Sequence, residues 1–267
     1  MVPGVPAPLR RDRMLAMLRE HEFVRVAELS RTFGISEVTV RSDLSTLADN
    51  GLIQRVHGGA MVPGSEVERS FEESLDASAQ EKAAIGHHAA RSVLPGETIM
   101  LDVGTSTAAL ARSLVNRETL HNVTVFTSSL KVALDLEPAI PRITVVVTGG
   151  TLRPLQHSLV DPMAGYVFDT VRFDRAFVGC NGVHVDHGVT NVNLPEAGMK
   201  RRMIAAARQT VVVADGSKVG NVSVAKIAEL EEIDLLITGR SAPQDLVKEL
   251  VQHGVAVEIA EPGNPGA

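Results

Sequence analysis

Hydrophobic and polar positions in the first 60 residues recur with the period of α-helices in three short segments. Apolar side chains have this spacing over residues 9–20, 27–33 and 36–50. Gly34 ends the second helix because it can adopt a positive φ angle, and Ser36 is a favourable N-cap for the third. The segment therefore predicts three helices, with a tight turn between the last two.

A short extended run, Leu52 to Val56, follows the third helix, and His57-Gly58-Gly59 after it is typical of a turn. Two helices joined by a tight turn, followed by a β-wing, make up a winged helix-turn-helix. In such a unit the second helix of the pair enters the major groove of DNA, with its N-terminal residues at the bases. We therefore predict a DNA-binding domain over residues 6–60.

Beyond residue 80 the pattern changes to short aliphatic runs that alternate with helical segments. The runs predicted as strands are 99–103, 123–126, 143–147, 176–178, 211–213 and 235–237. Such alternation is typical of a mostly parallel sheet covered by helices on both faces. We predict an open α/β sensor domain over residues 80–240, a polar linker over 61–79, and a C-terminal helix, strand and tail over 241–267.

Composition and charge limit the classes of function. The net charge is −6, and the first 60 residues carry eight Lys and Arg against seven Asp and Glu, so charge alone does not identify a DNA-binding segment. The single cysteine, Cys180, leaves no internal disulfide and favours a reducing compartment. No apolar stretch approaches the roughly 18 residues of a membrane helix, and the N-terminus lacks an apolar signal core, so we expect a cytosolic protein without a membrane partner.

The stretch VAELSRTFGISEVTVRSDLSTLADNGLIQRVHGGA, residues 26–60, resembles the N-terminal signature of the DeoR family of bacterial repressors. The motifs LDVGTST, VVVTGGTLR, RAFVGCNGV and ADGSK resemble the family's sensor domain in order and spacing. The resemblance implies a sensor similar to ribose-5-phosphate isomerase, and a repressor of carbohydrate catabolic genes that releases DNA when it binds a phosphorylated sugar. Departures from the family pattern include Ser42 for a usual arginine, Ser74 for another, and Ser128 for a usual asparagine.

The candidate DNA contacts lie on the third helix and around the wing. Arg41 lies beside the core stripe and can bind a guanine edge or a phosphate, and Ser36 and Thr39 lie at the helix N-terminus, where free N–H groups favour phosphate. The alternative is that Ser36 is only a cap and Arg41 is only solvated. The predicted DNA-binding residues are Arg25, Ser36, Thr39, Arg41, Ser42, Ser45, Arg55 and His57.

The candidate effector site lies where predicted strands end. The segment Asp102 to Thr107 places a glycine and three hydroxyl side chains between a strand and a helix, which favours a phosphate, and Lys218 can supply a cation. A capped helix start without a ligand, and a solvated Lys218, are the alternatives. The predicted effector-binding residues are Asp102, Gly104, Thr105, Ser106, Thr107, Ser128, Gly149, Gly150, Asn181, Glu196, Lys200 and Lys218.

Two groups leave their roles open at this stage. Glu196 and Lys200, four residues apart, either contact the ligand or form an exposed ion pair. Asn181 can bind a sugar hydroxyl but is a poor proton-transfer group, which counts against the alternative of an isomerase fused to a DNA-binding module. The histidines do not have zinc-ligand spacing, so we predict no metal and no cofactor. The expected partners are an operator in double-stranded DNA, a phosphorylated sugar, and further copies of the chain in a dimer or tetramer. An activator or a constitutive DNA binder remains an alternative to a repressor.

Overall fold

The computed structural model describes residues 6–21, 23–50, 52–56, 58–61 and 68–261. The chain divides into two units, Met1–Glu68 and Arg69–Ala267. Each unit has its own hydrophobic core.

The first unit has three helices and three short strands. The helices are α1 (Ala7–His21), α2 (Val26–Phe33) and α3 (Glu37–Asp49), and the strands are β1 (Phe23–Arg25), β2 (Gln54–Val56) and β3 (Gly59–Met61). The strands form an antiparallel sheet in the order β1–β3–β2. This is the winged helix-turn-helix that the hydrophobic pattern predicts.

The turn between α2 and α3 has the predicted chemistry. Gly34 has φ +62° and ψ +33°, and its N–H donates to the carbonyl of Ser30, so the left-handed conformation ends α2. Among the described residues of this unit, one charged side chain is buried. Asp43 on α3 accepts from Nε of Arg10 on α1 at 2.6 Å, and Nε of Arg11 lies 3.8 Å away. The carboxylate thus joins the first helix to the third.

The second unit is built on a seven-stranded sheet whose neighbouring strands are all parallel, in the order β15–β14–β12–β9–β4–β5–β6. Its helices are α4 (Phe71–Asp76), α5 (Ala79–Ser92), α6 (Thr105–Val115), α7 (Leu130–Leu136), α8 (Met163–Thr170), α9 (Leu194–Ala206) and α10 (Gln244–Gln252). The strands of the large sheet are β4 (Thr98–Leu101), β5 (Val123–Thr127), β6 (Ile143–Val147), β9 (Phe173–Val178), β12 (Ala207–Val213), β14 (Leu235–Gly239) and β15 (Val257–Ala260). The predicted parallel α/β fold is confirmed.

Shorter antiparallel strands decorate this sheet, and the sequence analysis did not identify them. They are β7 (Thr151–Arg153) with β8 (Ser158–Val160), and β10 (Gly182–His184) and β11 (Gly188–Asn191) with β13 (Ala225–Ala228). Each has three or four residues, too few for a clear period-two pattern.

The order of the strands creates a crevice in the middle of the large sheet. The chain enters at β4, runs outward through β5 to β6, and then returns to β9 on the other side of β4. The connections leaving β4 and β9 therefore diverge, and this is where open α/β sheets bind ligands. The segments that follow these two strands are 102–104 and 179–181, and they contain the predicted site residues Asp102, Gly104 and Asn181.

The helix α4 lies within the segment 61–79 that we predicted as a linker, yet it packs as part of the second unit. Phe71 at its start is 5% exposed and belongs to the core formed with α5 and α6. Ser70 and Glu73 form a reciprocal capping box at its N-terminus. A single large apolar side chain and a cap thus fix a segment whose composition is otherwise polar.

Candidate functional site

The exposed face of α3 carries the central residues of the predicted DNA contact. The side chain of Arg41 is 51% exposed, and its Nη2 donates to Oε2 of Glu37, one turn earlier, at 2.6 Å. Ser42 is exposed beside it. The buried residues Val40, Leu44 and Leu47 lie on the opposite face. An exposed ion pair of this kind contributes little to stability, so Glu37 can release the guanidinium to a nucleic acid at small cost.

The N-terminus of α3 is capped as the sequence predicts. Ser36 Oγ accepts from the Thr39 N–H at 3.2 Å and lies 2.9 Å from Thr39 Oγ1. Both side chains are therefore engaged in the first turn of the helix, in agreement with the capping role of Ser36. Any phosphate contact here falls to the remaining free N–H groups of that turn.

The wing is joined to α3 by a hydrogen bond between two residues that were predicted separately to bind DNA. Arg55 on β2 donates from Nη1 to Ser45 Oγ at 2.7 Å, which positions the strand beside the helix. Arg25 is exposed immediately before α2. His57 lies outside the described residues. Val38 was missed by the sequence analysis: it is 73% exposed in the first turn of α3.

At the crevice, the predicted residues Asp102 and Lys200 form a buried ion pair. Their side chains are 2% and 3% exposed, and Lys200 Nζ donates to Asp102 Oδ2 and, at 3.0 Å, to the carbonyl of Gly179. The same carboxylate accepts from the Gly179 N–H at 2.9 Å. The pair therefore joins the ends of β4 and β9 to α9.

The two charges shift each other's titration. Burial raises the pKa of Asp102, although the Lys200 ammonium opposes that effect. Burial alone would lower the pKa of Lys200, but the carboxylates of Asp102 and Glu196 outweigh it and raise that pKa. Lys200 is therefore held charged by the carboxylates around it.

The interpretation of Glu196 and Lys200 as an exposed ion pair is wrong. Glu196 is 7% exposed and accepts from Ser158 Oγ at 2.7 Å and from Arg153 Nη1, both on the β7–β8 hairpin. The two residues share a face of α9, but each binds a partner from a different strand connection. Helical spacing predicts that the two side chains share a face of α9, whereas their burial and their binding partners depend on segments distant in the sequence.

The loop after β4 combines a glycine of positive φ with the N-terminus of a helix. Gly104 has φ +140°, and α6 begins at the next residue with the buried side chains of Thr105, Ser106 and Thr107. Thr107 Oγ1 donates to the Gly104 carbonyl at 2.9 Å, so this hydroxyl supports the turn. Thr105 lines a cavity of about 280 Å³ between α4, α5 and α6.

Lys82 on α5 lines the same cavity, and the sequence analysis did not identify it. Its Nζ donates to the Ser74 carbonyl at 2.6 Å and lies 3.9 Å from Asp215 Oδ2. Burial lowers the pKa of Lys82, Asp215 opposes this, and the positive charges of Lys218 and Arg69 add to it. A signal was present: residues 82, 85, 86 and 89 recur at helical spacing on the buried face of α5, which places a lysine among apolar side chains.

Lys218 ends the 3₁₀ turn that begins after Asp215, and it is half-buried. Within the described ranges, Asp215 is the carboxylate in ion-pair contact with Lys82, and Lys218 forms no ion pair. The positive charges of Lys82 and Lys218 thus share this region with the carboxylates of Asp215 and Glu81.

The other predicted site residues have mainly architectural contacts. Asn181 Oδ1 accepts from the Val192 N–H at 3.0 Å, which orders its own loop. The Ser128 carbonyl accepts from the Leu159 N–H at 2.7 Å and so holds the β7–β8 hairpin. Gly149 and Gly150 have φ +74° and +124°, and a Cβ on Gly150 would lie 2.4 Å from the Val160 carbonyl oxygen. These contacts order the loops at one end of the sheet.

In the described residues, no three His, Cys, Asp or Glu side chains are grouped so that they could hold a metal ion. None of the helices in the described ranges combines the length and apolar character needed to cross a bilayer.

The two units together define the class of protein. The helices flanking Gly34, the exposed α3 and the β2–β3 wing form a DNA-binding unit, and it shares a chain with a parallel α/β unit that has a crevice at its strand ends. This is the organisation of a DNA-binding transcriptional regulator with a separate sensor.

The chain belongs to the DeoR family. Residues 10–66 match the DeoR-like helix-turn-helix domain, and residues 77–240 match the DeoR C terminal sensor domain. Family membership confirms the predicted winged helix and sensor, and a DNA-binding transcriptional regulator in place of an enzyme.

Curated relatives match over almost their whole length. The HTH-type transcriptional regulator GolR of Listeria innocua is 33% identical over 253 residues, which cover 94% of this chain and 98% of the relative. A putative aga operon transcriptional repressor of Escherichia coli O157:H7 is also 33% identical, over 93% of this chain and 92% of its own. Among solved structures, ribose 5-phosphate isomerase A of Methanocaldococcus jannaschii has a TM-score of 0.40 at 20% identity, over 53% of this chain and 55% of that chain.

Proposed function

We propose that this regulator is a repressor of genes for carbohydrate catabolism, and that a phosphorylated sugar bound to the second unit releases it from its operator. The observation that carries the proposal is the placement of two lysines at this end of the second unit. Lys218 forms no ion pair in the described part of the chain, and Lys82 lines one cavity together with Thr105, at the N-terminus of α6. A phosphate dianion is attracted by ammonium groups and accepts hydrogen bonds from helix N–H groups.

The fixed pairs beside this region favour a ligand with hydroxyl groups. Asp102 and Glu196 are neutralised by Lys200 and Arg153, so the crevice wall has polar groups whose net charge is close to zero. Such a wall suits the uncharged part of a sugar phosphate better than a second anionic group. The name of one relative, a putative aga operon transcriptional repressor, supports a repressor of an operon in place of an activator.

DNA binding is assigned to the face of α3 that carries Arg41 and Ser42, with Arg25 and Arg55 at its flanks. We further infer that the chain binds a repeated operator as a dimer or tetramer, because helix-turn-helix proteins place two recognition helices one helical turn of DNA apart. Light scattering of the full chain, alone and with an operator duplex, measures this state. A one-to-one complex of a monomer with DNA would contradict it.

The variant Arg41→Ala tests DNA binding by this face of α3. We expect at least tenfold weaker operator binding at fixed salt, measured by fluorescence anisotropy, with unchanged thermal unfolding because the side chain is half exposed. Arg208→Ala is the matched control, since Arg208 is an 82% exposed cation in the second unit. Equal loss in both variants, or none in either, would contradict the assignment to α3.

Effector binding by the second unit is tested by a thermal-shift screen of pentose and hexose phosphates, each measured beside its unphosphorylated sugar. A ligand at one hundred times its Kd adds about 2.7 kcal/mol of stability. The same compound should lower operator affinity, and Lys218→Met should abolish both effects while leaving DNA binding intact. Lys248→Met, at an exposed lysine on α10, is the control and should respond as the wild type does. Operator affinity indifferent to every sugar phosphate would support a constitutive DNA binder instead.

A further inference from the structure

The outer face of α3 has an apolar centre. Val38, Arg41, Ser42 and Ser45 recur at spacings of three and four residues, so they form one stripe along the helix. Successive residues are about 100° apart around the axis, and Val38 therefore lies nearly opposite the buried stripe of Val40, Asp43, Leu44 and Leu47. Its direction is away from the core of its own unit.

Val38 is exposed to an unusual degree for an aliphatic residue in this unit. It is 73% exposed, compared with 48% for Leu9 and 40% for Leu52, the other large hydrophobic residues exposed in the described part of the first unit. Val24, Val26 and Val40 in the same unit are 6% exposed or less. A single exposed valine is ordinary on a protein surface, so its place on the helix decides its meaning.

The polar neighbours of Val38 are engaged with one another. Ser36 and Thr39 form a hydrogen bond at 2.9 Å, and Glu37 and Arg41 form an ion pair at 2.6 Å. Ser42, one turn further on the same stripe, has a side chain too short to cover the valine. The first turn of α3 thus presents two methyl groups between two polar pairs, on the surface that continues the Arg41 face.

The DNA major groove offers one apolar group for such a side chain. Each base pair presents a distinct pattern there, and the C5-methyl group of thymine is its only hydrocarbon. Residues in the first turn of a recognition helix are the ones that reach base edges. Removing the valine methyl groups and a thymine methyl from water together is favourable, whereas cytosine at that position offers no methyl group.

We propose that Val38 contacts the C5-methyl group of a thymine in each operator half-site and makes the regulator select thymine at that position. Arg41, one turn further along the stripe, then contacts a neighbouring phosphate or guanine. The inference depends on DNA binding through α3 and is independent of the identity of the effector.

The experiment removes single methyl groups from the DNA. Duplexes bound by the full chain are selected from a random pool, and each thymine of the selected operator is replaced in turn by deoxyuridine, which keeps the base pair and loses only the methyl group. Affinity is measured by anisotropy at one salt concentration. For the wild type we expect one thymine per half-site whose demethylation weakens binding about fourfold, the loss expected for one buried methyl group.

The variant Val38→Ala identifies the contact. It should bind the unmodified operator more weakly and show no further loss when that thymine is demethylated, whereas its response at other thymines stays that of the wild type. Val38→Ile, which keeps an aliphatic side chain, should retain the effect, and Leu9→Ala is the control for an exposed aliphatic residue elsewhere in the unit. Thermal unfolding of all variants should be unchanged because the side chain is exposed.

Two results would overturn the inference. In the first, demethylation has the same effect on the wild type and on Val38→Ala at every thymine. In the second, both proteins select the same operator with the same preference at each position. Failure of the wild type to enrich any duplex from the random pool would instead contradict DNA binding itself, and the contact with it.

Discussion

Replacing Lys200 by methionine tests whether the charges at the crevice hold the second unit together. The substitution keeps most of the side-chain volume and removes the ammonium group from Asp102, which is 1% exposed as a whole residue. Removing one partner of a buried ion pair costs about 3–5 kcal/mol because the other charge remains buried. Asp102 still accepts from the Gly179 N–H at 2.9 Å, which places the expected cost near the lower end, about 3 kcal/mol.

For a unit of this size, about 3 kcal/mol lowers the midpoint of thermal unfolding by roughly 6–12 °C. The assay is far-UV circular dichroism of the full chain at pH 7.5. Arg202→Met is the control on the same helix, because Arg202 is 41% exposed and its partner Asp161 is 50% exposed. A pair at that exposure contributes less than about 1 kcal/mol, so the control should unfold within a few degrees of the wild type.

The pH dependence gives an independent sign. Burial already raises the pKa of Asp102, and loss of the Lys200 ammonium raises that pKa further. An acid whose pKa is higher in the folded state than in the unfolded state binds a proton on folding, so stability falls as the pH rises above the unfolded value of about 4. The deficit of Lys200→Met relative to the wild type should therefore be smaller at pH 5 than at pH 8. The double variant with Asp102→Asn should recover part of it at both values.

Two outcomes would refute this account. Unfolding of Lys200→Met within about 2 °C of the wild type at pH 7.5 would show that the ion pair does not hold β4, β9 and α9 together. A deficit that grows toward pH 5 would show that Asp102 is not the group left uncompensated.

Two further predictions concern the same end of the sheet. Gly150→Ala should destabilise the second unit by about 2 kcal/mol or more, because φ is +124° and the new Cβ would lie 2.4 Å from the Val160 carbonyl oxygen. Gly149→Ala, with φ +74° and open space around the new Cβ, should destabilise it by about 1 kcal/mol. Thermal unfolding measures both costs, and equal costs would contradict the steric argument. Burial raises the pKa of Cys180 to about 12. Iodoacetamide at pH 8.5 should therefore modify the thiol of the native protein at least tenfold more slowly than the thiol of the unfolded protein. Equal rates would show that the thiolate forms normally in the native protein.

The elements with a regular period could be predicted from the sequence. Three helices and the turn at Gly34 follow from spacing and from local preferences, and β6, Ile143–Val147, has the predicted bounds. Strands β9 and β12 begin three or four residues earlier than predicted, at Phe173 and Ala207. Their first residues are partly polar, and the hydrophobic pattern of a strand weakens at the end where the sheet meets solvent.

The partners of the site residues could not be predicted. Asp102 and Lys200 are 98 positions apart, and Glu196 is 43 positions from Arg153. Sequence spacing indicates which side chains share one helix or follow one strand, but the neighbour of a charged group depends on which strand connections the fold brings together. For this reason the pattern left the role of Glu196 and Lys200 open, and it gave Lys82 no role at all.

Under the proposed function, some cations at this end of the sheet stay paired with carboxylates, and others can bind the phosphate. Lys200 and Arg153 are already bound to Asp102 and Glu196, and moving either cation toward a ligand would leave a buried carboxylate without its partner. Within the described residues, Lys218 forms no ion pair. Lys82 Nζ lies closer to the carbonyl of Ser74, at 2.6 Å, than to the carboxylate of Asp215, at 3.9 Å. Because Ser74 belongs to α4, a phosphate that draws Lys82 toward itself weakens the bond that holds α4 at the start of the second unit. Under the proposed function, the binding of an anion and the position of α4 are therefore linked through the ammonium group of Lys82.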